Sequence, residues 1–398
     1  MSTREHLLPV YAPPPEVFER GEGVRLYTGE GKAYLDFIAG IAVSALGHSH
    51  PAMVEALKSQ ADKLWHTSNM FRVPAGEELS AKYCEATFAD RVFFTNSGTE
   101  AIEAALKSAR KFHWANGEPH RQEIITFTGA FHGRSYGAIN AGGNPKYLEG
   151  FGEAMPGFRQ LEFGDHDALR ESVTRDTCAV LVEPVQGEGG VRPIPEHCLT
   201  GLRLLCDETG TLLIYDEVQC GMGRTGKLFA YQWAENAAPD IMAVAKGVGG
   251  GFPFGACLVT EAVAGPMQVG SHGSTYGGNP LAMAVGNVVF DIIGDEAFLA
   301  EVRRVSGTLT QGLQSLVETH SDVIEGGRGK GLLRGLKFRM APKAVQNAAR
   351  EHGLLCGVAG ENVLRLAPPL IISDADVREA VEKIDASIMA VKPQLTGA

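Results

Sequence analysis

The chain has 398 residues, 44% hydrophobic and 21% charged, the proportions of a globular protein whose core needs neither disulfides nor a metal to fold. Its 36 Lys and Arg against 47 Asp and Glu leave a net charge of −11, which argues against a nucleic-acid or anionic-membrane partner. Seven scattered cysteines without a CxxC pair read as reduced thiols of a cytoplasmic protein, and no apolar run approaches the roughly 18 residues of a membrane span.

The opening stretch, MSTREHLLPVYAPPPEVFERGEG, has no cationic segment followed by an apolar one. It carries Glu5, Glu16, Glu19 and Glu22, so neither a signal nor a transit peptide is expected. Residues 24–37, VRLYTGEGKAYLDF, have hairpin character. The first 55 residues are expected to pack beside the C-terminal part. His48 and His50 lack further ligands at metal spacing; they read as a turn before a helix, and no metal is expected.

Six β-rich runs follow, at 92–95, 124–127, 179–183, 212–216, 242–245 and 256–260. Most are continuously apolar, which predicts strands buried on both faces of a mostly parallel sheet covered by helices. Between them, apolar residues at 102, 105, 106, 109 and 112 mark one face of a helix. From about Val285 the texture changes: amphipathic stretches at 291–319, 344–352 and 374–391 flank the glycine-rich GGRGKGLLRGLKF. The reading is an α/β protein, with a large ligand-binding domain over 56–284 and a smaller α+β domain over 285–398.

Parallel sheets bind ligands beyond the carboxyl ends of their strands, so the segments after the strands carry the chemistry. In FFTNSGTEA (93–101), Ser97 with Glu100 forms a capping-box pattern. The amides of Gly98 and Thr99 then make an anion site worth about 1–2 kcal/mol, although the pattern also suits an ordinary capped helix. Asp216 ends a buried run, where a carboxylate is costly unless it meets a cation, either a local one or a ligand nitrogen that must stay protonated. Lys246 follows another buried run. Desolvation there lowers an amine's pKa, and a neutral amine condenses with carbonyls; a lysine snorkelling to the surface is the alternative. Residues 221–226, GMGRTG, match GxGxxG, but polar DEVQC separates them from the strand and no helix-capping signal follows. A dinucleotide-binding oxidoreductase is thus a remote alternative. The conjunction of phosphate site, strand-end carboxylate and strand-end amine describes pyridoxal phosphate.

With these motifs in order the chain resembles the class-III aminotransferases, in particular their acetylornithine group. The landmarks are SALGHSHP (44–51), LWHTSNMF (64–71), NSGTEA (96–101), AFHGRS (130–135), EPVQGEGGV (183–191), DEVQCGMGRTG (216–226), VAKGVGGGFPFGA (244–256), STYGGNP (274–280) and LRLAPPLII (364–372). The resemblance implies a fold-type-I pyridoxal-phosphate transferase in which Lys246 forms the internal aldimine and acts as general acid and base. It implies that Asp216 pairs with the pyridinium nitrogen and that Glu217, Val218 and Gln219 belong to the cofactor-binding run. Gly98 and Thr99 would hold the phosphate and Phe131 would stack on the ring. Thr275 would reach the phosphate of a neighbouring subunit, with Ser274 beside the substrate, so the resemblance implies a homodimer with shared active sites. Arg134 and Arg365 are the implied carboxylate binders. Glu188 would cover Arg365 while the amine donor is bound and swing off for 2-oxoglutarate.

The implied reaction is ping-pong transfer of a δ-amino group to 2-oxoglutarate, with glutamate as product. Ornithine enzymes of this family carry a Tyr where Ile41 stands here, and tend to read NTGVEA in place of NSGTEA. Both departures point to N-acetylornithine and arginine biosynthesis. Ornithine, succinylornithine, N-succinyl-diaminopimelate and 4-aminobutyrate are the alternative donors. Ile102 and Ser135 depart from the acetylornithine pattern itself.

Overall fold

The computed structural model describes residues 6–396; Glu5, used above for the leader, lies outside them. Three strands open the chain, β1 (Phe18–Glu22), β2 (Arg25–Thr28) and β3 (Ala33–Asp36), paired antiparallel in sequence order. The hairpin character of 24–37 is realised in β2 and β3.

Nine strands follow: β4 (Arg91–Thr95), β5 (Glu123–Phe127), β6 (Phe158–Leu161), β7 (Thr177–Val182), β8 (Val185–Gln186), β9 (Arg192–Pro193), β10 (Leu212–Asp216), β11 (Ile241–Val244) and β12 (Gly255–Val259). Seven form the central sheet in the order β4-β12-β11-β10-β7-β5-β6, while β8 and β9 make a small ribbon. The six runs read from the sequence are all strands of this sheet. The seventh, β6, escapes the pattern because it is an edge strand with Arg159 and Gln160 exposed. The strands β7, β10 and β11 are buried at every position, the continuous apolar runs expected of a sheet covered on both faces.

One strand departs from the parallel expectation. β12 runs antiparallel to both of its neighbours, whereas β6, β5, β7, β10 and β11 pair in parallel. The link between β11 and β12 is too short for the crossover of roughly a dozen residues that a parallel return requires. Because β4 is antiparallel to β12, it points the same way as β11. The carboxyl ends of β4, β5, β7, β10 and β11 therefore share one edge.

The helix Gly98–Ala115 starts four residues before the periodic stretch read from the sequence and lays Ala101, Ile102, Ala105, Leu106 and Ala109 against β11 and β12. The stretch 291–319 is not one helix. It divides into Pro280–Ile293 and Glu296–Thr319, because Asp295 caps the second helix, accepting from the amides of Ala297 (2.6 Å) and Phe298 (3.4 Å). The boundary expected at 284/285 falls inside Pro280–Ile293, which packs on the helices Pro51–Ala61 and Pro74–Ala86.

The C-terminal strands are β13 (Ile324–Lys330), β14 (Leu333–Phe338), β15 (Leu354–Leu355), β16 (Gly357–Ala359) and β17 (Val363–Leu366). Four make an antiparallel sheet, β13-β14-β17-β16, but β15 leaves it and pairs in parallel with β3, Leu354 opposite Leu35. The two ends of the chain are thereby one packed layer.

Arg224, in the GMGRTG stretch, ties this layer to the central sheet. Its guanidinium is wholly buried and donates to the carbonyls of Leu332 (3.3 Å) and Pro368, while its own carbonyl accepts from the Leu332 amide. Neither bond is to a carboxylate, and burial pushes its pKa down to about 9. Arg224→Met should leave both buried carbonyls without a donor, at about 1–3 kcal/mol each. Urea unfolding should show a lower midpoint; a midpoint equal to the parent's would mean the tie contributes nothing.

Candidate active site

At the shared edge of strand ends lies a cavity of about 350 Å³. Its wall includes Asn96 to Thr99 beyond β4, Phe131 and His132 beyond β5, Glu183 beyond β7, Asp216 at the end of β10, and Lys246 beyond β11. Val43, Val218, Gln219, Glu188 and the segment 251–254 also line it.

Asp216 is 3% exposed and both carboxylate oxygens are engaged. One accepts from the Val218 amide at 3.0 Å, and the other lies 2.8 Å from Nδ1 of His132. His132 is itself buried, and its Nε2 has no hydrogen-bond partner. Burial is the largest single influence and works against charging this imidazole, but the bond to Asp216 together with the charges of Asp216 and Glu183 outweighs it and the pKa rises. Glu183, a second buried carboxyl, accepts from the amides of Phe131 (3.0 Å) and Gly187 (3.1 Å). Burial pushes it up to about 7.

Lys246 sits where the chain leaves β11 for a 3₁₀ turn, with φ at +50°. Such a backbone is strained for a residue with a side chain, and strain of this kind collects at functional positions. Burial lowers the pKa of its amine; Glu188 opposes that shift and Arg365 reinforces it.

The start of the helix Gly98–Ala115 differs from the capping box read from the sequence. Ser97 Oγ accepts from the Glu100 amide at 3.3 Å, as that pattern requires. The Glu100 carboxylate, however, reaches one residue further back and accepts from the Asn96 amide (2.7 Å) and side chain (2.9 Å). The first-turn amides of Gly98 and Thr99 have no helical carbonyl to bond and line the cavity wall. Gly98 is required by packing, since a Cβ there would stand 2.8 Å from Val218 Cγ1.

Arg365, on β17, reaches the cavity through its partners. It bonds the Glu188 carboxylate and lies 3.4 Å from Gln219 Oε1, and Gln219 Nε2 is 3.5 Å from Glu188. Burial pushes the Glu188 carboxyl up, but the Arg365 guanidinium prevails and holds it below its usual range.

Four residues from the sequence reading stand apart from the cavity. Arg134 is exposed, its guanidinium 3.7 Å from the Tyr147 ring centroid and 5.1 Å from that of Phe131. Ser274 Oγ accepts from Asn96 Nδ2 at 3.1 Å and the Gly277 amide at 2.9 Å, and Thr275 is exposed. Glu217 corrects an expectation. Its side chain turns away from the cavity, because its two oxygens accept from the amides of Ala230 (2.6 Å) and Tyr231 (2.8 Å). Sequence reasoning missed His132 and Glu183. Each lies inside a quoted motif, but neither motif shows that its partner is brought in from another strand end.

The dinucleotide alternative loses its footing. No α-helix follows Gly226: the chain passes through turns into a 3₁₀ segment, so GMGRTG lacks the helix start a dinucleotide needs. His48 bonds Asp36 at 2.8 Å, and no metal-binding group of side chains occurs among the described residues.

The donor set fits pyridoxal phosphate. That molecule asks for anion-binding amides, a carboxylate for a protonated ring nitrogen and an amine for its aldehyde. One cavity offers Gly98 and Thr99, Asp216, and Lys246.

Residues 9–388 match the family model described as aminotransferase class-III. The chain belongs to the class-III aminotransferases. This aminotransferase is 55% identical over 392 residues to acetylornithine aminotransferase 2 of Caulobacter vibrioides, covering 98% of this chain and 97% of that protein. Among solved structures it resembles N-acetylornithine aminotransferase from Stenotrophomonas maltophilia at 39% identity and TM-score 0.84, over 96% of this chain and 98% of the other. Ornithine aminotransferase from Toxoplasma gondii superposes with TM-score 0.94 at 33% identity, over 98% and 94%.

The lowered pKa of Lys246 has a direct readout. Reductive labelling with a small aldehyde should mark Lys246 of the cofactor-free chain at pH 7 ahead of the exposed Lys146, and the preference should shrink as pH approaches 10. Peptide mapping that found Lys146 labelled first at pH 7 would contradict it.

Proposed function

We propose that the enzyme uses pyridoxal phosphate to transfer the δ-amino group of N2-acetyl-L-ornithine to 2-oxoglutarate, giving N-acetyl-L-glutamate 5-semialdehyde and L-glutamate in arginine biosynthesis. The observation that carries this reading is the bond from Arg365 to Glu188, a residue on the wall of the cavity that also holds Lys246 and Asp216. A masked arginine suits a donor with one carboxylate, and an unmasked one suits a dicarboxylate acceptor. Identity of 55% to an acetylornithine enzyme supports the donor assignment.

When bound, pyridoxal phosphate supplies a carbonyl for the incoming amine and a conjugated ring that accepts the electron pair released at carbon. The residues do the rest. Gly98 and Thr99 bind the phosphate at a helix N-terminus. Asp216, aimed by His132, would hold the proton on the ring nitrogen, and Phe131 and Val218 on the same wall would flank the ring. Nζ of Lys246, which burial makes easier to deprotonate, removes the proton from the donor's δ-carbon as general base. Arg134 and Arg365 orient carboxylates, and Arg365 becomes available when Glu188 withdraws.

Donor choice is assigned to the turn at 39–42. Ala39, Gly40, Ile41 and Ala42 all have positive φ, and Asp36 holds the entry by accepting from the Ile38 and Ala39 amides, each at 2.8 Å. Val43, two residues after Ile41, lines the cavity. An apolar side chain here favours an acylated nitrogen over an ammonium. Comparison of kcat/KM should give N-acetylornithine an advantage of about tenfold or more over free ornithine, about 1.4 kcal/mol. Faster turnover of ornithine would transfer the assignment to that donor.

We infer a homodimer with shared sites. Trp65, Met70, Phe71 and Tyr276 are exposed large apolar residues, and two contacts gather them: Asn69 Nδ2 donates to the Ser274 carbonyl at 3.2 Å, and His66 packs on Tyr276. A second copy of the chain would cover this patch and bring its own Thr275 across. Sedimentation should give a dimer, with Phe71→Glu dissociating it; a monomer in the parent chain would overturn this. The boundary expected at 55/56 falls inside the helix Pro51–Ala61, and we propose instead that residues 6–50 and 294–396 move as one unit against 51–293, on the pairing of β3 with β15. Seven unpaired cysteines support a cytoplasmic location.

A further inference from the structure

Glu188 lies in the loop between β8 and β9, and its main chain is gripped from outside that loop. Its carbonyl accepts from the Gly360 amide at 2.8 Å. The approach is so close that a Cβ on Gly190 would stand 2.7 Å from the Gly360 carbonyl oxygen. Gly360 belongs to the turn between β16 and β17, and β17 carries Arg365, the partner of the Glu188 side chain. One hairpin therefore holds both the main chain and the carboxylate of Glu188.

At the tip of that hairpin Glu361 has φ at +58° and bridges two arginines. One oxygen accepts from Arg192 Nη1 at 2.9 Å and the other from Arg328 Nη1 at 2.5 Å. Arg192, on β9, is fixed in turn: its Nη2 donates to the Thr128 carbonyl at 2.8 Å and its Nε to Gln186 Oε1 at 3.0 Å. Arg328 comes from β13. Glu361 thus joins the C-terminal sheet to the strand that ends the Glu188 loop, from a half-exposed position where an isosteric change is local.

We propose that Glu361 is a positioning residue for the Glu188–Arg365 gate. By clamping the hairpin tip to Arg192 it holds the 187–190 loop in register, and so sets how readily Glu188 leaves Arg365 and how the enzyme divides its affinity between substrates with one carboxylate and with two. This rests on the gate described under the proposed function. A clamped loop favours the covered arginine, because the closed pair is already in place and little order is lost in forming it. Releasing the clamp lowers the cost of opening.

The test uses holoenzyme and two unreactive probes, glutarate with two carboxylates and pentanoate with one, titrated calorimetrically. Glu361→Gln should bind glutarate about 3- to 10-fold more tightly, the range of coupling carried through packed contacts, and leave pentanoate unchanged. Hydrogen exchange at the Gly360 amide should quicken. Glu188→Ala should tighten glutarate at least as much, and the double variant should match Glu188→Ala, since the clamp acts only through that side chain. If Glu361→Gln does not fold, Glu361→Asp, one methylene shorter, should move glutarate in the same direction. Unchanged glutarate binding in the Glu361 variant, while Glu188→Ala responds, overturns the clamp and leaves the gate standing. An equal shift for both probes, or one that persists in the Glu188→Ala background, also overturns it. No response in Glu188→Ala overturns the gate and the clamp with it.

Discussion

A buried carboxylate and a partly buried amine stand at neighbouring strand ends, and limiting the access of water to both is the constraint on which the site depends. Asp216 closes β10, and Lys246 follows β11, its parallel neighbour. Away from bulk water an amine gives up its proton more easily, and a carboxylate must find donors. Asp216 finds them in His132 and the Val218 amide. Lys246 meets the opposed influences of Glu188 and Arg365. Much of the surrounding architecture serves this arrangement. The antiparallel β12 returns the chain directly after Lys246 and leaves β4 pointing with β11, so the helix that presents Gly98 and Thr99 starts on the same edge.

Charge balance around the cavity is maintained by pairs that span different parts of the chain. Glu183 is supplied by β7 and held by amides from the turns after β5 and β8. Arg365 arrives from the C-terminal sheet to meet Glu188. The Arg365–Glu188 bond therefore links the C-terminal sheet to the loop between β8 and β9.

Most of the central sheet was legible because its strands are short apolar runs that no amphipathic helix would produce. The edge strand β6 was hidden, since Arg159 and Gln160 belong to no apolar pattern. Strand direction was harder still: nothing in the residues of β12 marks it as antiparallel, and only the short link before it does. The break in the long C-terminal helical stretch was signalled by Gly294 and Asp295, but a helical period continuing on both sides concealed it. In the site, Asp216 and Lys246 could be read from their places at the ends of buried runs. His132 could not, because its partner lies 84 positions away and only the sheet brings them together. Glu217 was misassigned for the same reason, its bonds being to backbone amides further along the chain. Motif spacing records what is local, and these contacts are not.

The pairing of β3 with β15 bears on how the protein comes into being. During synthesis the first three strands emerge early, yet the fourth member of their sheet, Leu354–Leu355, leaves the ribosome only when most of the chain has been made. Until then β3 presents an open hydrogen-bonding edge, a hazard for mispairing with other nascent chains. Closing so large a loop also carries an entropic cost. β3 is thus translated about 300 residues before the strand that covers its edge, and a chaperone that shields strand edges would have that interval in which to act.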